Sequence, residues 1–331
     1  MKLLIVNQYY KYKLLTRRDK IVMQKKYAAL IFDVIESRKI QDRYEVQSEL
    51  KNVTKILNNL YKYKIIKNVV CGAGDEFQGL FKTPADAYAY IHSLQLYIHP
   101  IRVRCGIGYG SIRYETNKWV SDNDWSSTDI NGEAYYSARD AINAIPDKNA
   151  TDVVFFKTNT SIDKTLNTIM LTGAGLKKAQ SKTAKLIELI MDFYFPFNQT
   201  NIDDNVLCEF SKIIENKIRE IWKDQSKRIY NLGAIKRENL SLHDSGTNIK
   251  DLVFNTFYYR KNVKTKGNDY YFEEYYPYGC STLIAPLTMS TPQNISKTII
   301  LGKIKENRNL DGAVFNLLVN IDDIGDEEKC C

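Results

Sequence analysis

The sequence predicts an α/β chain of the α+β kind: a ferredoxin-like β-α-β-β-α-β unit followed by a mostly helical C-terminal region. Three observations predict it. Short apolar runs and helical periods alternate as strand, helix, strand, strand, helix, strand between Ala28 and Gly108. The middle two strands flank Gly72-Ala73-Gly74-Asp75, which supplies the glycines of a tight reversal. Beyond Lys178 the strand-like runs give way to longer apolar segments at helical spacing.

Each element has its own signal. Ala28-Ala29-Leu30-Ile31-Phe32 is short, continuous and apolar, hence a buried strand, and Asp33 sits where that strand leaves the core. From Gln41 to Tyr61, Val46, Leu50, Val53, Leu57 and Leu60 recur at helical spacing and define one core face. Val69 to Cys71 and Phe77 to Phe81 form the hairpin strands. A second helix begins at Pro84, a residue tolerated in the first turn, runs towards Tyr97 and stops at His99-Pro100. His92 and His99 are expected on the surface or at the helix end. Ile101 to Gly108 alternates as a fourth strand.

In this topology the first and third strands are antiparallel neighbours, so the hairpin tip abuts the end of strand one. Asp33 and Asp75 then face one another, with Glu76 beside them. Two carboxylates so placed repel unless a cation lies between them, and all-oxygen ligands suit Mg2+ or Mn2+. Either acid alone equally suits a structural role, Asp33 as a cap for the following turn and Asp75 as a hairpin residue. Their joint placement with Ser37-Arg38 and Arg139 favours a site.

Further along, Tyr114 to Ile130, with Trp119 and Trp125, is expected to loop over that site. Gly132 to Ala144 is a helix carrying Tyr135, Tyr136 and Arg139, and Asp152 to Phe156 is another strand. Gly106, Gly108 and Gly110 are expected to permit close strand packing. Leu171 to Lys178, around Gly173-Ala174-Gly175, marks the domain boundary, and no Gly-Lys-Ser/Thr follows to make a P-loop. The chain thus divides into a basic extension (1–22), a first domain (23–175) and an α-rich region (176–331). Thr183 to Phe195 and Asn205 to Lys227 read as helices, while Leu232 to Tyr278 lacks a clear period. Thr291 to Ile300, after a turn of small residues, has the form of a helix-turn-helix recognition helix or of an ordinary helical hairpin.

Composition sets the outer limits. The 331 residues, 44% of them hydrophobic, are enough for real cores. A net charge of +8 favours anionic partners such as nucleotides, nucleic acid or acidic lipid, or simply a solvated basic surface. The 23 tyrosines suit base stacking as well as strands and interfaces. Six cysteines without C-x-x-C spacing and three histidines argue against zinc, and Cys71 and Cys105 read as reduced core thiols. Cys330-Cys331 reads as a frayed tail, and Met23 as the functional start, with the first residues an extension. No apolar run approaches a membrane span and no secretion signal is visible, so a cytoplasmic location is expected.

Four segments carry a family resemblance: Phe32-Asp33-Val34-Ile35-Glu36-Ser37-Arg38, Gly74-Asp75-Glu76-Phe77-Gln78-Gly79-Leu80, Arg104-Cys105-Gly106-Ile107-Gly108-Tyr109-Gly110, and Gly132-Glu133-Ala134-Tyr135-Tyr136-Ser137-Ala138-Arg139-Asp140-Ala141. Together they resemble the SatD family of small bacterial proteins and, more distantly, class III nucleotidyl cyclases and GGDEF-type palm domains, over about residues 26–157. The cyclase resemblance implies a palm in which Asp33 and Asp75, supplemented by Glu76, hold metal for a nucleoside triphosphate. It places Arg139 where cyclases carry a transition-state arginine, and Tyr135 where they carry asparagine. Ser37, Arg38 and Tyr135 are the implied nucleotide contacts, and a homodimer is implied as well. Cys71 stands where some cyclases place a purine-reading lysine, so metal and phosphate binding transfer better than cyclisation or base choice. A nucleotidyl cyclase or nucleotidyltransferase is therefore expected, with a catalytically reduced nucleotide sensor coupled to a DNA- or partner-binding C-terminal region as the alternative.

Overall fold

The structure is a computed structural model, and it describes residues 25–39, 41–72, 75–114, 130–146, 152–194, 212–219, 279–288 and 290–322, with Phe197, Glu209 and Ile324. The basic extension, the tryptophan-bearing loop and most of 198–278 lie outside the described residues, as do His243, Cys208 and the Cys330-Cys331 pair.

Five strands form one mixed sheet in the order β2-β3-β1-β4-β7. They are β1 (Lys26–Val34), β2 (Ile65–Cys71), β3 (Glu76–Phe81), β4 (Val103–Ser111) and β7 (Val153–Lys157); a two-stranded ladder of β5 (Arg113–Tyr114) and β6 (Ile130–Asn131) stands apart. β1 is central, antiparallel to β3 on one side and to β4 on the other, as expected for the first and third strands, and β7 runs parallel to β4. Among the described residues, besides a helical segment over 212–219, the helices are α1 (Arg43–Leu60), α2 (Pro84–Tyr97), α3 (Glu133–Asn143), α4 (Asp163–Lys178), α5 (Lys182–Tyr194), α6 (Cys280–Ile284), α7 (Pro292–Leu301) and α8 (Ile304–Val319).

Strand alternation divides the core in two. Ala28, Leu30, Phe32 and Val34 face α1 and α2, whereas Tyr27, Ala29 and Ile31 face α3. α3 lies unusually close to β4. A Cβ at Gly106 would stand 2.1 Å from the Ala138 carbonyl oxygen, and one at Gly108 2.2 Å from both the Ala134 oxygen and the Ala138 nitrogen. The glycines of this strand therefore admit a helix, where close strand packing was expected.

On the other face α2 is buried along its length, with only Leu96 of its residues outside the buried set. A helix buried on every side is enclosed by its neighbours, and α2 touches β1, β3, β4 and α1 as well as α5 and α8. One hydrophobic core accordingly runs from Ala28 through Ile187 and Ile299 to Ile321. The Leu171–Lys178 stretch lies within α4 rather than in a linker. His92 departs from expectation. It is only 2% exposed, with Nε2 3.4 Å from Asp192 and Nδ1 3.5 Å from Asp311. The carboxylates that make burial of a histidine tolerable come from α5 and α8, too distant in sequence to be associated with it. His99, half-buried after the end of α2, is where the helix end was expected.

Candidate functional site

The site forms where β1, β3 and β4 leave the core beneath α3. Phe32 and Phe77 are register partners whose rings stack at 4.9 Å on the α2 side. This stack fixes the next pair, Asp33 opposite Glu76, on the α3 side. Asp33 is also the register partner of Arg104 on β4. Asp75 was expected to face Asp33; the residue in that position is Glu76, because Asp75 belongs to the turn one residue earlier.

Each carboxylate carries its own guanidinium. Arg104 Nε donates to Asp33 Oδ1 at 2.7 Å and its Nη2 to Oδ2 at 2.9 Å. From α3, Arg139 reaches across to Glu76, its Nη2 donating to Oε1 at 2.7 Å and its Nη1 to Oε2. Hydrogen bonding to Asp33 holds the Arg104 guanidinium further above its ordinary range, and the charge of Asp75 adds to it. Glu76 does the same for Arg139, with Asp33 adding. The five groups are thus one electrostatic cluster, three carboxylates against two guanidiniums, with one net negative charge. The pairs are roughly a quarter to a half exposed, with Arg104 at 47% and Arg139 at 46%. Such pairs contribute about 0–1 kcal/mol to stability, so folding alone gives little reason for the arrangement.

Ser37 is half-buried in the 3-10 turn Ser37–Lys39 that follows β1; the side chain of Arg38 is outside the described residues. Tyr135 is 8% exposed and packs in the α3-side core with Tyr27 and Ile31, a packing position rather than an open one. Arg104 is the cluster member that sequence reasoning did not single out as a site residue. Its signal is a cation at the polar positions of an otherwise apolar strand.

Among the described residues no group of three His, Cys, Asp or Glu side chains is gathered to enclose a metal. Asp33 and Glu76, adjacent across the ladder, fit a different mode. Magnesium keeps several waters and is held through one or two carboxylates plus substrate phosphates, and both acids are hard oxygen donors. A cavity of about 510 Å3, lined by Ser111, Glu133, Tyr136, Ser137, Asp140 and Lys157 among others, lies on the β7 side of α3. Asp140 pairs there with Lys157, while its neighbour Arg139 turns towards β3, so helix α3 separates this cavity from the cluster.

The fold and the site define an α/β protein with an acid–arginine cluster at the ends of three sheet strands. The model of the SatD family matches residues 27–236, and the chain belongs to that family. No curated protein matches it. Among the described residues no helix is long and apolar enough to cross a membrane.

Proposed function

We propose that the β1-to-β4 unit is a ferredoxin-like palm that binds a nucleoside triphosphate with Mg2+ or Mn2+, in the manner of a nucleotidyl cyclase or nucleotidyltransferase. The observation that carries the reading is the cross-strand quartet of Asp33 with Arg104 and Glu76 with Arg139. A nucleotide site needs oxygen ligands for a cation and guanidiniums for phosphate within one small area, and the quartet supplies both. Asp33 and Glu76, with Asp75 at the rim, would hold the metal. Bound there, the metal would neutralise phosphate charge and activate a hydroxyl. Arg104 orients the phosphates, and Arg139, carried on α3, is the group placed to meet charge that develops in a transition state.

The test is calorimetry of nucleotide binding with and without manganese, combined with mass analysis of products from each of the common nucleoside triphosphates. Metal-dependent binding is expected in the wild type and should be lost in Asp33→Asn/Glu76→Gln with the fold intact. Metal-independent binding, or none, refutes the reading.

A second reading is a catalytically reduced palm that senses nucleotide and passes the signal to DNA. It is favoured by the exposure of Gln293, Asn294 and Lys297 on α7, which follows α6 after a short turn. Duplex binding that weakens steeply with salt would support it, and no duplex binding at low salt would remove it.

A further inference from the structure

Where α2, α5 and the α4–α5 turn meet, the structure encloses a cavity of about 20 Å3 lined by His92, Gln95, His99, Asp152, Lys177, Gln180, Lys185 and Glu188, among others. It is independent of the acid–arginine cluster. Besides His92, whose Nε2 has Asp192 at 3.4 Å, four of these residues carry a buried polar atom with no hydrogen-bond partner: Gln95 Nε2, His99 Nδ1, Gln180 Oε1 and Glu188 Oε1. Glu188 is fully buried and Gln95 is 9% exposed. The other oxygen of Glu188 accepts from Gln180 Nε2 at 2.9 Å, and that same nitrogen donates to the Gly302 carbonyl at 3.0 Å, before α8. The orphan atoms therefore sit at a joint between the sheet-covering helix and the C-terminal helices.

A buried polar atom left unpaired is costly, and four of them beside one cavity call for an occupant. The lining decides its chemistry. A metal cation would meet Lys177 and Lys185 and leave the Gln95 donor unpaired. An anion would meet Glu188 and Asp152 and leave the acceptors unpaired. Water both donates and accepts, needs roughly 10–15 Å3, and typically makes about three hydrogen bonds when buried.

We propose that this cavity is a built site for one internal water, which accepts from Gln95 Nε2 and donates to two of the acceptors Glu188 Oε1, Gln180 Oε1 and His99 Nδ1. The water is then a structural part of the joint, linking α2 to α5 and, through Gln180, to the head of α8.

The test is a high-resolution crystal structure together with oxygen-17 magnetic relaxation dispersion, which counts long-lived internal waters in solution. Density within hydrogen-bond reach of Gln95 and Glu188 is expected. The count should fall by one in Gln95→Met, whose side chain fills the cavity, and stay unchanged in Glu188→Gln, whose carbonyl oxygen keeps the bond from Gln180 while its amide donates to a water that still donates to Gln180 Oε1 and His99 Nδ1. Three outcomes overturn the proposal: no density; a peak that gains anomalous signal after rubidium exchange, which would make the occupant a cation; or an unchanged count in Gln95→Met with a raised Tm, the mark of a dry cavity relieved of an unpaired donor.

Discussion

Asp33 and Glu76 stand opposite one another on β1 and β3, and each is held by a guanidinium from a different element, Arg104 on β4 and Arg139 on α3. A cation that takes these carboxylates competes with the arginines for the same oxygens. In the proposed function the released Arg104 is the phosphate ligand, so metal and nucleotide assist each other's binding. Arg104→Gln should accordingly raise affinity for manganese alone and lower affinity for the metal–nucleotide pair about tenfold, the worth of one charge-assisted hydrogen bond. Manganese titrations with and without nucleotide check the two opposite signs. A change of the same sign in both would refute the exchange.

Arg139 distinguishes an enzyme from a sensor. A guanidinium that meets developing charge contributes little to ground-state affinity. Arg139→Ala should leave nucleotide affinity within a few-fold and abolish product. In the sensor reading the same change weakens binding by about 1.5–3 kcal/mol and neither protein forms product. Parallel calorimetry and product analysis decide between them.

The spacing of α3 over β4 makes a stability prediction. A methyl group at Gly108 would lie 2.2 Å from two backbone atoms of α3, which cannot yield as a flexible side-chain tip can. Gly108→Ala should destabilise the fold by about 3 kcal/mol or more in denaturant titration. Gly175→Ala, which meets nothing within 4 Å, should be near neutral or stabilising.

His99 makes a pH prediction. Burial, reinforced by Lys185, Lys217 and Lys182, lowers its pKa from 6.5 to about 4. Between those values the unfolded chain holds a proton that the folded chain excludes. Stability should therefore fall as pH drops from about 6.5 to about 4, by about 1–2 kcal/mol once solvent screening of this half-buried ring is allowed for. Thermal melts of His99→Gln across the same range should lack this component.

How much of this was legible in the sequence follows from range. β1, α1, the β2–β3 hairpin, α2 and β4 are each specified by local apolar spacing, and each lies within a few residues of its expected bounds. Asp33, Asp75, Glu76 and Arg139 were legible as candidates because motif and turn chemistry are local too. Their pairing was not. Which acid faces Asp33 depends on register, and a shift of one residue exchanges the faces of a strand, which is why Glu76 stands where Asp75 was expected. α4 and α8 were missed although Leu166, Met170 and Ala174 recur every four residues, as do Val314 and Leu318. The glycines at 173 and 175 drew attention as a break instead. Arg308, fully buried near Asp192, interrupts the apolar pattern of α8 with a charge whose partner lies on another helix.

The enclosure of α2 also has a consequence for the order of events during synthesis. The Tyr88 hydroxyl donates to Asp311 across 223 residues of sequence, and the far wall of the α2 chamber is α8. At about 5–20 residues per second, a ribosome takes roughly 10–45 s to travel between them. Throughout that interval the emerging sheet carries a helix with one apolar flank bare. The nascent chain therefore has a defined window of vulnerability, one that closes only when α8 docks. A chaperone that binds this flank would be expected to dissociate at that length and not earlier.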